Sequence, residues 1–423
     1  RGLVLTHKTS KDFVTPMAGV PLRAADGHIE RLLAQGLRVA VADQLEPAEA
    51  AEGLVKRDVT QLITPGTLSD ERLLLPDATY LAAVASGEGY GLALLDVSTG
   101  EFRGAQLYSR ASLYDELRRY RPAEVLLAPE LLEQEAFRKP FAERFPVMLS
   151  EGRFDAEDAR AALASRFGQG AFGAGAFGAG MSEAGALERA AGAVLAYAQA
   201  TQRSDLPQVS RFLRYDPGTF MQLGEVALAT LEIFESAMGS GRTLFQSLDE
   251  TRTAPGRRLL KAWLRHPLLD PSLIEDRLET VAALVRDPVL RGALRRALYK
   301  VHDLERLAGR LATGRASARD LAALERSLGL LPDLRALLES RIEKVFAGLR
   351  SRLDERAEVR QRIRAALVPD PPHKLSEGGL VREGFDRPLD APGWRAWRSA
   401  SGSRPASRRS RSASAACSAI TSR

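Results

Sequence analysis

The sequence predicts a multidomain chain, α/β in its first part and all-α in its second, followed by a tail that cannot fold alone. Three observations carry that reading. The 423 residues amount to about three domains at roughly 150 residues each. Strand-like alternation and β-branched runs cluster before residue 130, whereas apolar residues recur at helical spacing from about 187 onward. From Pro392 to the end the chain is Ser, Ala and Arg without a single acidic residue.

The first piece, residues 1–75, reads as mixed α/β. Gly27 to Gln35 places Ile29, Leu32 and Leu33 on one helical face, and Gly36 can stop that helix. Leu37 to Val41 alternates as a strand does, and Val59 to Thr64 is a β-branched run ended by the turn pair Pro65-Gly66. The second piece, 76–190, is α/β. Tyr90 to Val97 is nearly all apolar, as in a strand covered on both faces, and Ser98-Thr99-Gly100 turns it into the alternating run Glu101 to Leu107. A helix from Ala111 to Tyr120 then leads past Pro122 to a short strand, Glu124 to Ala128.

Residues 168–180 repeat Ala-Phe-Gly-Ala-Gly and read as a flexible surface insertion. A phosphate-cradling loop would need a strand before it, a helix after it and usually a lysine; there is no lysine here. The third piece, 191–391, is helical. Leu187, Ala191, Val194, Leu195 and Ala198 recur at helical spacing around its start. Later, Gly314 can close one helix and Ser317 to Asp320 can cap the next, whose face carries Leu321, Leu324 and Leu328. Pro332 can start another, bearing Leu334, Leu337 and Leu338.

The tail, 392–423, holds seven arginines and should be disordered. Removing those seven from 60 basic residues leaves 53 against 54 acidic ones, so residues 1–391 carry a net charge of −1 and the formal +6 belongs to the tail. Bulk charge therefore makes no case for nucleic-acid binding by the body of the chain. The tail itself has two readings, a basic arm that binds nucleic acid nonspecifically or an out-of-frame translation of GC-rich DNA. We favour the second. No uncharged apolar stretch of about 18 residues occurs, so no membrane span is expected. Arg1 to Leu5 has neither an initiator Met nor the features of a secretory signal, so the start is not expected to be a native one. A lone Cys417 excludes an intramolecular disulfide and fits the cytoplasm.

Several motifs have a specific resemblance. HKTSKDFVTPMAGVPLRA (His7 to Ala24), VADQLEP (Val41 to Pro47) and VTQLITPGTLSDE (Val59 to Glu71) resemble the first domain of the bacterial MutS mismatch-repair family. LALLDVSTGEF (Leu92 to Phe102) is similar to the start of that family's connector. YAQATQR (Tyr197 to Arg203), LFQSLDETRTAPGRRLLKAWLRHPLLD (Leu244 to Asp270), HDLERLAGRLATGRASARDL (His302 to Leu321) and SEGGLVREGFD (Ser376 to Asp386) resemble its helical core. The resemblance covers about residues 1–391. It implies a mismatch-domain remnant, a ribonuclease-H-like connector and an incomplete helical core, or lever. It also implies duplex DNA with mispairs as ligand, a MutL-type partner met through the connector, and a homodimer for the full-length form.

The departures carry expectations too. Family members begin with a Phe-x-Glu element whose Phe wedges at the mispair. None stands before the matching region here, and Phe13 aligns with a different loop. No G-x-x-x-x-G-K-[ST] occurs, so no ATP site, magnesium site or ATPase activity is expected of this chain, although the full-length family uses ATP and magnesium. An incomplete core should leave apolar helix faces exposed, with marginal stability or association as the result.

No catalytic or metal residue is expected. Asp96 has no carboxylate partners and reads as a turn residue beside Ser98 and Gly100. His7, His28, His266, His302 and His373 stand apart from one another, which argues against zinc. Asp249 and Thr251 read as a turn device, Arg252, Arg257 and Arg258 as helix-surface charges and ion pairs joining core to connector rather than DNA contacts, and Trp263 with Leu259, Leu260 and Leu264 as core packing. The resemblance nominates Lys8, Lys11, Arg23, Lys56 and Arg57, five of the nine Lys and Arg residues of the first piece, for DNA phosphates. Singly, each reads better as ordinary solvated surface.

Overall fold

Alanine dominates the run Leu81–Gly87, and in the computed structural model of the chain this run is a central strand of the largest sheet. The structure describes residues 5–9, 14–21, 24–44, 55–70, 72–168, 185–236, 239, 241–339, 344–372, 378–386 and 390. The Gly-rich stretch 168–180, apart from Gly168, and the tail 392–423 with Cys417 lie outside the described residues, as do Lys11, Phe13, Arg23 and His373. The chain divides into two compact units, Arg1–Tyr215 and Asp216–Arg423.

The first unit opens with the antiparallel pair β1 (Leu5–Thr9) and β2 (Val14–Ala18), helix α1 (Ala25–Ala34), and a second antiparallel pair, β3 (Val39–Gln44) and β4 (Arg57–Ile63). Gly36 follows α1 with φ +70°, the left-handed stop expected of it. The large sheet contains β5 (Leu81–Gly87), β6 (Gly89–Asp96), β7 (Glu101–Leu107), β8 (Glu124–Leu127), β9 (Met148–Ser150) and β10 (Leu213–Arg214). Its order is β10-β7-β6-β5-β8-β9. β6 runs antiparallel to β5 and β7, and β8 and β9 run parallel to β5. This is the connectivity expected of a ribonuclease-H-like connector.

Helices α2 (Arg110–Tyr120), α3 (Pro129–Glu133), α4 (Glu135–Arg144), α5 (Ala156–Phe167) and α6 (Ala186–Gln202) cover the sheet. Alternate residues of each strand serve opposite faces. Ala82, Val84, Leu92 and Leu94 pack with Leu113, Leu117, Phe137 and Phe141 of α2 and α4, whereas Leu81, Ala83, Ala93 and Leu95 pack with α6. Small residues let α6 come close. A side chain on Gly91 would strike the backbone of Ala186 and Leu187. The connector was expected to end at 190 and the core to begin at 191, inside α6. In the structure Ala190, Ala191, Ala193, Val194, Leu195 and Ala198 are buried against the sheet, and the first compact unit runs on to Tyr215. Helical spacing alone could not tell a helix packed on a sheet from one packed on helices.

The second unit contains α7 (Glu225–Thr230), α8 (Leu244–Leu248), α9 (Ala254–Arg265), α10 (Pro271–Arg286), α11 (Pro288–Leu298), α12 (Leu304–Ala312), α13 (Ala318–Leu328), α14 (Leu331–Glu339), α15 (Ala347–Arg352) and α16 (Ala357–Ala366). Caps follow the sequence closely. Ser317 and Asp320 make both bonds of the capping box that starts α13, and Gly314 has φ +68° just after α12. Its apolar residues form three small clusters, centred on Leu321 and Ile363, on Ala283 and Phe346, and on Leu328 and Leu334. Helix α9 buries no residue, α10 only Ala283 and α11 only Leu290. The exposed Ile274, Leu278, Val281 and Val285 make a stripe at spacing 4, 3, 4 along α10.

Candidate nucleic-acid interface

β4 is a β-branched strand whose first residue, Arg57, pairs with Gln44 across the β3–β4 ladder. Lys56 precedes it, and both are exposed. The other expected DNA contacts are not brought to this point. Lys8 lies in β1, where only its backbone is described, and Lys11 and Arg23 fall outside the described residues altogether. Beside the two cations the ladder sets Asp43 opposite Asp58. Thr60 Oγ1 donates to Asp43 at 2.5 Å, and Arg203, at the end of α6, pairs with Asp58 at 3.6 Å. The end of this hairpin is thus a mixed-charge surface on which Lys56, Arg57 and Arg203 offer positive charge.

From β4 the chain runs into a strap, Thr64 to Ser69, that is seated on the large sheet by two buried side chains. Glu124 heads the otherwise apolar β8 and is fully buried. Its Oε2 accepts from Thr64 Oγ1 and from the Gly66 amide at 3.1 Å, and its Oε1 accepts from Ser150 Oγ and Tyr197 OH, both at 2.5 Å. Burial, together with the Glu124 charge, pushes the Tyr197 hydroxyl up to about 12. At the end of α6, Gln202 Nε2 donates to the Thr67 carbonyl at 2.6 Å and Gln202 Oε1 accepts from Ser69 Oγ at 2.8 Å. Position along the chain did not reveal this clasp. The one legible signal was an acidic residue at the head of a strand with no solvent face.

The structure also places the other candidates. Asp96 is buried and accepts from Ser98 N at 2.9 Å, Ser98 Oγ at 2.6 Å, Thr99 N at 3.3 Å and Thr79 N at 3.4 Å, which makes it the turn residue that its surroundings suggested. Among the described residues no three His, Cys, Asp or Glu side chains are grouped to hold a metal. Thr251 donates to Asp249 at 2.6 Å in the turn before α9. Arg258 makes a bidentate pair with Asp303 at 2.7 and 2.8 Å and reaches Glu305 at 2.6 Å, while Arg257 pairs with Asp249 and Arg252 with Glu250. These partners all lie in the helical unit. The arginines are satisfied locally, Arg258 by the α12 N-terminus, as helix-surface charges. The expectation for Trp263 is corrected. It is 38% exposed with Leu259 beside it also exposed, and its covering is the guanidinium of Arg277, 3.9 Å from the ring centroid. An apolar stripe reads as core only when something packs on it.

Comparison with known proteins follows the same order as the fold. Family models described as MutS domain I, MutS domain II and MutS domain III match residues 2–72, 79–210 and 226–422. The DNA mismatch repair protein MutS of Thermus aquaticus is 57% identical over 390 residues, covering 92% of this chain and 44% of the relative. MutS of Thermus thermophilus gives the same figures. MutS of Symbiobacterium thermophilum is 43% identical over 399 residues, covering 92% of this chain and 45% of the relative. The chain thus spans less than half the length of the curated relatives it matches. The domain III match reaches into the acid-free tail. Three domain models in register, over two β-rich pieces and a helical unit, make the chain a member of the MutS DNA mismatch-repair family.

Proposed function

We propose that this chain is part of a mismatch sensor: in its full-length form the protein binds duplex DNA at mispairs and passes the signal to a MutL-type partner through the connector. The observation that carries this reading is the ordered match of domains I, II and III along one chain. The full-length form would act as an ATP-dependent homodimer. This chain contains no G-x-x-x-x-G-K-[ST] and would hydrolyse no ATP by itself. The cations proposed for phosphates are Lys8, Lys11, Arg23, Lys56 and Arg57, and no cofactor is proposed for the chain. Work on DNA and a lone cysteine suit the cytoplasm. Among the described residues no helix is long and apolar enough to cross a membrane.

A gel shift with one duplex in matched and mispaired form tests the proposal. Tighter binding to the mispaired duplex supports mismatch sensing by the chain itself. Equal and strongly salt-dependent binding to both favours a second reading, a noncatalytic module that holds DNA through its basic tail, which the seven arginines of 392–423 make worth testing.

A further inference from the structure

Helices α2 and α4 lie side by side on one face of the large sheet, and between them runs a row of aromatic rings. Phe137, Phe141 and Phe145 follow one another at helical spacing and are buried. Tyr114 of α2 meets them at ring separations of 6.4, 6.1 and 5.4 Å. Tyr90 stacks on Phe137 at 5.8 Å and 27°. Three arginines cover the row. Arg110 lies 5.3 Å from the Phe137 ring, Arg144 5.4 Å from the Tyr114 ring and Arg118 5.8 Å from the Phe145 ring.

Two features of this row are unusual for a packed surface. Arg110 and Arg144 are exposed and form no ion pair among the described residues; the one hydrogen bond of Arg110 goes to the Ala136 carbonyl at 3.1 Å. Arg118 differs, since Asp115 stands 3.8 Å from it. Tyr114 is only 4% exposed, yet its hydroxyl has no hydrogen-bond partner among the described residues. A buried hydroxyl without a partner costs free energy. Burial holds this hydroxyl above the ordinary tyrosine range, and the charges acting against that rise are Arg110, then Arg144, then Arg118.

We infer that Arg110, Arg144 and Tyr114 form a binding site for a phosphate-type oxyanion of charge near −2. A guanidinium held against a ring keeps its N–H fork free at the edge, which is the arrangement that grips phosphate. The stacking also fixes the side chains beforehand, so less order is lost on binding. Two unneutralised cations match a phosphate monoester, which carries about −1.5 to −2 at neutral pH. A phosphodiester or one carboxylate would neutralise only one of them. The Tyr114 hydroxyl then gains the acceptor it lacks. A separate shallow groove on α4, lined by Glu135, Arg138, Lys139 and Glu143, mixes both signs and offers no such match. The inference is independent of the mismatch reading, since it rests on the connector surface alone.

Equilibrium dialysis of the whole chain against labelled inorganic phosphate at low ionic strength tests it. The expected result is a saturable site that Arg144→Ala and Arg110→Gln each weaken about tenfold, the scale of one charged hydrogen bond. Tyr114→Phe should weaken it several-fold, and Arg138→Ala should leave it unchanged. Phosphate held by the arginines of 392–423 would be the same in every variant. Tyr114→Phe removes an unpartnered hydroxyl, so without phosphate it should melt no lower than the parent while losing the stabilisation that phosphate gives. Competition by a 5′-phosphorylated oligonucleotide, and not by its 5′-hydroxyl form, would identify a strand end as the source; indifference to both would identify a small phosphate. Binding that does not saturate, or that Tyr114→Phe, Arg110→Gln and Arg144→Ala leave intact, overturns the site. So does an equal loss in Arg138→Ala.

Discussion

The amide of Gly66 donates to the carboxylate of Glu124 at 3.1 Å, across 58 residues of chain, in a place from which water is excluded. The same carboxylate accepts from Thr64, Ser150 and Tyr197. Four donors from three separate segments thus meet on one buried side chain, and the strap after β4 is seated there.

Removing that acceptor should be costly. Glu124→Ala leaves three hydroxyls and an amide without it, for a loss of roughly 3–5 kcal/mol. Glu124→Gln should cost less, about 1–2 kcal/mol, because its oxygen can still take the Gly66 amide while its amide group faces two hydroxyls that can turn. Urea unfolding of both variants checks the order; equal losses would mean the site works by packing alone.

The helical unit should lose stability in acid through Asp303. Burial favours the protonated form of this carboxyl, but the bonds and charge of Arg258, with Arg306 behind, outweigh it and hold the group below its ordinary range. Its folded pKa is therefore the lower one. The contribution is complete above the unfolded value of about 4 and is lost as pH falls through that value toward the folded one. Unfolding midpoints at pH 5 and pH 3 should draw closer together in Asp303→Asn than in the parent. An unchanged difference would remove Asp303 from the acid response.

If Lys56 and Arg57 reach DNA phosphates, the double change to Ala should weaken binding to matched and mispaired duplexes alike. It should also flatten the slope of log affinity against log salt by up to about 2, near 0.9 for each phosphate no longer neutralised. A slope that does not move would return both residues to ordinary solvated surface.

The stripe Ile274, Leu278, Val281 and Val285 should make the chain self-associate. Sedimentation should show concentration-dependent species that Leu278→Lys with Val285→Lys reduces, with little change in helix content because neither residue is buried. A sharp cooperative melt of a monomer at high concentration would contradict this.

Much of the fold was legible because it rests on local chemistry. The β6–β7 hairpin, helix α2, the Gly36 stop and the capping box at Ser317 all follow from residues within a few positions of one another. What was missed depends on contacts distant in sequence. β5 carries three alanines in seven residues, which is poor strand composition, and it becomes a central strand because α6 needs a flat surface to pack on. β1 and β2 hold Lys, Thr and Pro and show no alternation. For the candidate interface, the family resemblance nominated five cations, and two of them, Lys56 and Arg57, stand together on a described surface. Glu124 gave only the faint sign of an acid heading an apolar strand, and Gln202 and Tyr114 gave none, since the partners of a buried polar group cannot be read from its neighbours in sequence.

The two clasps on the strap also have a consequence in time. Thr67 waits for Gln202, which is 135 residues further along, and Thr64 waits for Glu124, 60 residues further along. During synthesis at roughly 5–20 residues per second, the first strands leave the ribosome about ten seconds or more before the last of their anchors exists. In that interval β3 and β4 have each other and α1 but not the large sheet, and so small a unit is marginal in water. The nascent chain therefore passes through a stage in which its opening segment is made but undocked, and a pause in translation before codon 202 would prolong that exposure to chaperones and proteases.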